Sequence, residues 1–463
     1  MTMWQPDLSA FDGPRYRALA DAIAFSIREG HLQPGQKLPP QRDLAFRLGV
    51  TTGTITRAYG VAEQRGLVQG EVGRGTFVRG RQQQAYFHNP VVDGDGDFIK
   101  LNVNSQPDRS AEELLPESLI KLARGNLPIG ELLAYTPRIG LADHRRAAAE
   151  WASRTGGQFS AETTLITGGA HQAIVIALAA LAGSGKTVLT ERLVYGGLLH
   201  AANRLGVKLK GIALDAEGLV PDALEAACRE TDAKVLMLNP TAHNPTTATM
   251  SDERRRDIAE IAKRQDLILV EDDVYGQLYE DRAPPIAALA PERTVYITNA
   301  SKMVAPNLRF GSISAPPTLY DRLADAQADF FIICPALMAA LFTQWLDDGT
   351  ADDLVIRQRA EARTRFDLAA SCLEGATFKG HPHCFHLWLE LPEIWRSSSF
   401  VQTLHRQGVG VDPAHSFAVD PAESQAAIRI SLSAAKNRER LKQALDIIQT
   451  TLETGPTGRR DTI

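Results

Sequence analysis

The chain has 463 residues, more than one hydrophobic core accommodates, so several domains are expected. Hydrophobic residues make up 44% and charged residues 23%, which excludes a disordered chain and permits packed interiors. The net charge of -5 is uneven: residues 1–80 hold ten Lys and Arg against seven Asp and Glu, a balance of +3, leaving -8 on residues 81–463. A polyanion would meet the N-terminal segment first. No stretch approaches about eighteen consecutive apolar residues, and Asp7 stands where a secretory leader would be basic. A cytoplasmic location with no membrane partner is therefore expected. Cys228, Cys334, Cys372 and Cys384 are scattered without a CxxC pair and are expected to be buried, reduced thiols.

Tyr16, Leu19, Ile23 and Ile27 recur every three or four positions, which predicts a helix over 14–29 ended by Gly30. Pro34-Gly35 marks a turn, and Pro39-Pro40 prepares a second helix over about 41–48, stopped by Gly49. A third helix begins near Thr51, because Thr51, Thr52 and Thr54 can each accept from an orphan N–H, and it continues to Gly66. Two short helices joined by Gly49-Val50-Thr51 form a helix-turn-helix, whose second helix enters the major groove by its N-terminal end. Residues 67–78 alternate apolar positions around a glycine-rich turn, the pattern of a wing.

The segment runs Leu38-Pro39-Pro40-Gln41-Arg42-Asp43-Leu44-Ala45, then Leu48-Gly49-Val50, Gly66-Leu67-Val68 and Gly73-Arg74-Gly75-Thr76-Phe77-Val78. In that order these elements resemble the GntR family of winged-helix regulators. The resemblance implies a double-stranded DNA operator as partner. It places Arg42 on backbone phosphate, Thr51, Thr52 and Thr54 at the groove, and Arg74 with Thr76 at the wing tip; Arg57 completes the implied DNA-binding set. Many relatives carry Arg where this chain has Thr52, so no operator preference is borrowed. The blander alternative is that Thr51 and Thr54 only cap the helix and that Arg42 and Arg57 are solvated surface charges.

Residues 81–99 are polar and glycine-containing and read as a linker between a winged-helix domain at 1–80 and a larger domain at 100–463. Asp93, Asp95 and Asp97 have the spacing of a calcium loop, but Asn104 stands where its bidentate Glu belongs, so no metal is expected. His381, His383, His386 and His415 lack the spacing of a metal site as well.

From about Leu101, strand-like runs at 187–189, 207–213, 234–238, 267–270 and 294–298 alternate with helical stretches. This predicts an α/β domain with a mostly parallel sheet, whose ligands bind beyond the carboxyl ends of the strands. Thr167-Gly168-Gly169-Ala170 precedes a helix predicted over 173–181 and offers bare N–H groups to an anion. Glu271-Asp272-Asp273-Val274-Tyr275 follows one strand and Asn299-Ala300-Ser301-Lys302 the next, with Arg309 seven residues on.

Together these motifs resemble the fold type I pyridoxal-phosphate (PLP) enzymes, specifically the aminotransferases, over roughly residues 100–450. The resemblance implies a fold type I transferase-like domain with a smaller C-terminal α/β subdomain, and PLP as cofactor. It makes Lys302 the amine that holds the cofactor's aldehyde, and Asp272 the partner of its ring nitrogen, with Asp273 as second choice. Tyr275 and Asn244 would hold the phenolic oxygen, Gly169, Ala170, Ser301 and Arg309 the phosphate, and Tyr195 the ring face. Tyr135 would reach a neighbouring subunit's phosphate, implying a homodimer, and Arg429 would clamp an effector's carboxylate. Thr247 in place of Gly and His171 in place of Gln depart from the family's pattern without removing a reacting group.

A GntR-type head on an aminotransferase-like body resembles the MocR-type subfamily. That resemblance implies a PLP-dependent transcription regulator whose large domain senses an amino compound or PLP itself. The alternative is an active aminotransferase carrying a DNA-binding domain. A regulator with an empty site is opposed by the retention of Lys302, Asp272, Tyr275, Arg309 and Arg429.

Overall fold

The structure is a computed structural model that describes residues 4–456 apart from 12, 34, 72–73, 79–95, 126–128, 331–333 and 422–424. Pro34 of the predicted turn, Gly73 of the wing, and Asp93 and Asp95 of the linker lie outside the described residues.

The N-terminal domain is a winged helix-turn-helix. Helices α1 (Arg15–Arg28), α2 (Gln41–Leu48) and α3 (Thr52–Gln64) are followed by the antiparallel strands β1 (Val68–Glu71) and β2 (Gly75–Val78). The apolar stripe of α1 supplies Leu19 and Ile23 to a small core completed by Leu44, Ile55, Ala58 and Val78. Gly49 takes a left-handed conformation (φ 61°) that lets α2 turn sharply into α3.

In the large domain, a seven-stranded sheet has the order β4-β10-β9-β8-β7-β5-β6. These strands are β4 (Thr164–Thr167), β5 (Thr187–Glu191), β6 (Lys208–Ile212), β7 (Val235–Leu238), β8 (Ile268–Asp272), β9 (Thr294–Asn299) and β10 (Gly311–Ser314). Only β10 runs antiparallel to its neighbours. The strands are near-continuous apolar runs because helices cover both faces, which bury two separate clusters. Helix α4 (Ala170–Leu181) follows β4 and starts three residues earlier than its apolar periodicity predicts.

The C-terminal subdomain is a four-stranded antiparallel sheet, β11 (Phe378–Lys379), β12 (His386–Glu390), β14 (Ala427–Ser431) and β13 (Asp412–Pro413) in that order, packed on α5 (Ser397–Arg406) and α6 (Arg438–Thr454). Period-two alternation decides what its other face presents. Leu387, Leu389, Ile428 and Ile430 enter the subdomain core, so His386, Trp388, Arg429 and Ser431 face away from it, toward the large domain. Ile99, in the two-residue strand β3 (Ile99–Lys100), is buried in the same core and pairs with Val409, which ties the start of the large domain to its end.

Cys334 and Cys384 are buried as expected, whereas Cys228 and Cys372 are only half-buried, and all four are free. Among the described residues no helix is long and apolar enough to cross a membrane, and no three metal-ligating side chains gather.

Candidate cofactor pocket and DNA-binding face

A cavity opens where β5, β7 and β8 end, lined by Glu191, Tyr195, Asn239, His243, Asn244 and Asp272. Asp272 closes β8 at 8% exposure, and its Oδ1 is buried with no hydrogen-bond partner. Burial pushes its carboxyl up to about 7, with Asp273 adding to the rise and Lys302 opposing it. Asp273 is committed elsewhere: its Oδ2 takes the Arg282 guanidinium at 2.5 Å and the Tyr296 hydroxyl at 2.5 Å. An orphaned carboxyl oxygen in a cleft calls for a donor from a ligand, and a protonated pyridine nitrogen has that character.

Lys302 follows β9, its ammonium donating to the Asn104 carbonyl at 2.6 Å. Burial, with the Arg429 and Arg309 charges, lowers it to about 8 against the pull of Asp272. Lys302 thus stays mostly protonated at neutral pH but offers far more of the reactive, unprotonated amine than an ordinary lysine, which suits capture of an aldehyde.

Gly169 caps α4 with φ 94°, and a Cβ there would press on the Arg309 guanidinium at 3.0 Å, so only glycine fits. Arg309 is held in place by the Gly168 carbonyl. Ala170 opens the helix, and Ser301 is anchored through its N–H to Asn299 Oδ1 at 2.9 Å. A guanidinium, a hydroxyl and the first N–H groups of a helix form a cradle for a dianion.

Several partners here were not apparent in the sequence. Asn104 donates from Nδ2 to the Tyr275 hydroxyl (2.8 Å), meets His386 Nδ1 at 2.9 Å, and accepts at Oδ1 from Ser431 (2.6 Å). It links Tyr275 to His386 and Ser431 of the C-terminal subdomain, although the sequence showed it only as a missing calcium ligand. Glu191 is buried, accepts from the Asn239 N–H at 2.8 Å, and is pushed up to about 7 by burial. Arg429 is 3% exposed on its side chain and fully occupied on Nη2, which donates to the Asn102 carbonyl (2.6 Å) and to Asp412 Oδ2 (2.7 Å). Its Nη1 donates to Asn244 Oδ1 at 2.8 Å. Tyr135 lies apart from the pocket, fully exposed on this chain.

On the DNA-binding domain, Thr51 caps α3, its Oγ1 accepting from the Thr54 N–H at 3.2 Å and lying 2.9 Å from the Thr54 hydroxyl. Thr51 therefore does cap the helix, while the Thr54 hydroxyl only meets that of Thr51, and Thr51, Thr52 and Arg42 are exposed at this end of it. Arg57 stacks on the Tyr16 ring at 3.8 Å, and Arg74 lies 5.6 Å from the Phe77 ring beside Thr76. The other end of α3 is seated on the C-terminal subdomain. Arg396, at the head of α5, pairs with Glu63 at 3.0 Å, and a Cβ on Gly60 would overlap its guanidinium. A Cβ on Gly66 would fall 2.5 Å from the His415 ring.

A winged helix-turn-helix joined to an aminotransferase fold, with a buried lysine and an aspartate whose Oδ1 lacks a partner at the strand ends, defines the class. Residues 96–448 match the aminotransferase class I and II family and residues 15–78 the gntR family of bacterial regulatory proteins. The chain is 30% identical to the HTH-type transcriptional regulator YdeF of Bacillus subtilis (strain 168) over 97% of both chains. It is 30% identical to YjiR of Escherichia coli (strain K12) over 67% of this chain and 70% of that one. Its fold is that of an archaeal alanine:glyoxylate aminotransferase (TM-score 0.72, 24% identity, covering 81% of this chain and 94% of that one). Pyrococcus horikoshii kynurenine aminotransferase gives the same TM-score at 22% identity, covering 81% of this chain and 94% of that one. The chain belongs to the aminotransferase class I and II family and, with its GntR domain, to the HTH-type transcriptional regulators of MocR-type architecture.

Proposed function

We infer that the chain is a homodimeric, PLP-dependent regulator that binds operator DNA and adjusts that binding when a small amino compound enters the pocket. The observation that carries this reading is the seat of α3 on the C-terminal subdomain: His415, against Gly66, stands three residues after Asp412, which pairs with Arg429 at the pocket. A ligand that alters the contact of Lys302 with Asn104, whose side chain meets His386 and Ser431 of the same subdomain, acts on the element that holds the recognition helix. Only a ligand with different affinity for two placements of that helix can move it.

Lys302 would hold the cofactor's aldehyde, Asp272 its ring nitrogen, Tyr195 its ring face, and Tyr275 with Asn244 its phenolic oxygen. Gly169, Ala170, Ser301 and Arg309 would hold its phosphate. Bound there, the group supplies an electrophilic carbonyl and an electron sink. The residues of the chain orient the ligand: Asp272 keeps a proton on the ring nitrogen, and the depressed Lys302 accepts or returns a proton at Nζ. Arg42, Thr51, Thr52, Thr54, Arg57, Arg74 and Thr76 would face the duplex. Arg42 would serve as a phosphate contact, and Thr52 would be the side chain at the groove.

Dimerisation is supported by exposed Leu115, Leu119, Ile120, Leu133 and Leu337, which lie on helices packed against one another, next to the exposed Tyr135. An active aminotransferase is the second reading, favoured by the intact set of Lys302, Asp272 and Arg309. Release of a keto acid with turnover would support it, whereas a ligand-dependent change in operator affinity without turnover supports the regulator.

A further inference from the structure

Arg429 carries a positive charge against Asn244 of the pocket lining, and a carboxylate already sits on it. Asp412 Oδ2 lies 2.7 Å from Nη2, with the two side chains 11% and 3% exposed. A planar guanidinium offers a carboxylate two parallel forks, Nη1 with Nη2 or Nε with Nη2, and both need a free Nη2 hydrogen. Here both Nη2 hydrogens are spent, one on Asp412 and one on the Asn102 carbonyl. Nε is buried without a partner and cannot form a fork alone. Arg429 also lies 4.7 Å from the Phe417 ring, a cation–π contact that further holds it in place.

We propose that Asp412 is a built-in occupant of the Arg429 clamp, and that the pocket therefore takes a primary amine lacking a carboxylate in preference to the corresponding amino acid. An incoming carboxylate must evict Asp412 and strand it, buried, without its counter-ion. Removing one partner of a buried pair weakens an equilibrium by about a hundredfold or more. Burial raises the Asp412 carboxyl to about 6 while Arg429 holds it down, so the pair stays charged at neutral pH. An amine ligand leaves that pair intact and needs only the aldehyde end of the pocket. The inference rests on the cofactor reading above and is independent of whether ligand entry is passed on to DNA.

The test compares matched ligands on protein loaded with PLP: L-lysine with 1,5-diaminopentane, and L-phenylalanine with 2-phenylethylamine, followed by the cofactor's visible absorption. The wild type is expected to bind each amine about a hundredfold more tightly than its amino acid. Asp412→Ala, which frees the Nη2 fork, should shrink that preference by about tenfold or more. Maleate, a carboxylate without an amine, is titrated by calorimetry into cofactor-free protein and should bind Asp412→Ala but not the wild type. That arm reads the clamp even where cofactor loading fails. Wild-type protein that binds amino acids as tightly as amines overturns the proposal, and so does maleate binding that is equal in the two proteins. Should Asp412→Ala not fold, Asp412→Asn replaces it and the wild-type comparison alone still decides. An unchanged operator affinity on amine binding would count against the sensor reading only.

Discussion

Asp272→Asn should have opposite effects on the cofactor-free and cofactor-loaded protein. Burial lifts the Asp272 carboxyl from an ordinary 3.8 to about 7, and each tenfold change in acidity corresponds to about 1.36 kcal/mol. Keeping this group ionised in the empty fold therefore costs about 4 kcal/mol at pH 8. The sign follows from the raised value: the penalty is fully present above about 7 and vanishes below the ordinary 3.8, where the group is protonated in folded and unfolded chains alike. Asparagine removes the charge but brings amide hydrogens that cost about 1–3 kcal/mol if unmet. The cofactor-free variant should thus gain roughly 1–3 kcal/mol at pH 8 and lose up to roughly 2 kcal/mol near pH 4, where the amide cost remains without the charge penalty. In the loaded protein the same change breaks a buried pair with the ring nitrogen, so PLP affinity should fall by about a hundredfold. Denaturant unfolding of the cofactor-free protein at both pH values, with a fluorescence titration of PLP, reads both effects. A variant equally destabilised at both pH values, or one with unchanged PLP affinity, would refute the assignment of Asp272.

Lys302→Ala should fold and dimerise yet show no covalent cofactor band, and in the wild type the rate of cofactor capture should rise with pH through about 8, as the amine loses its proton; a pH-independent rate would contradict the depressed lysine. Arg42→Ala should weaken binding to all duplexes alike and lower the salt slope by about one ion, while Thr52 substitutions should change sequence preference, both read by fluorescence anisotropy across salt concentrations. Arg396→Ala breaks a half-exposed pair with Glu63, so stability should change by less than about 1 kcal/mol while the ligand-induced change in operator affinity shrinks; full coupling in that variant would remove α5 from the route.

The residues proposed for the phosphate and Lys302 could be named from the sequence because they sit in short motifs that follow strands, which the parallel topology brings to one edge of the sheet. The preference for Asp272 over Asp273 came from the resemblance, and it is consistent with Asp273 being consumed by Arg282 and Tyr296. Asn104 was illegible, since its partners Tyr275, His386 and Ser431 lie 171, 282 and 327 residues away. Asp412 was hidden for a different reason. It occupies a two-residue strand whose neighbour is set by register with Arg429, and no local pattern reports such a pairing. The seat of α3 likewise depends on Gly60 and Gly66, read in sequence only as helix and helix stop.

The central claim is that the pocket and the recognition helix share one equilibrium. Its most direct measurement is the affinity of PLP-loaded protein for an operator selected from a random duplex library, with and without saturating primary amine. A change of about 5–150-fold is expected, with an equal change in amine affinity when the operator is present. Superimposable binding curves in both titrations would contradict it.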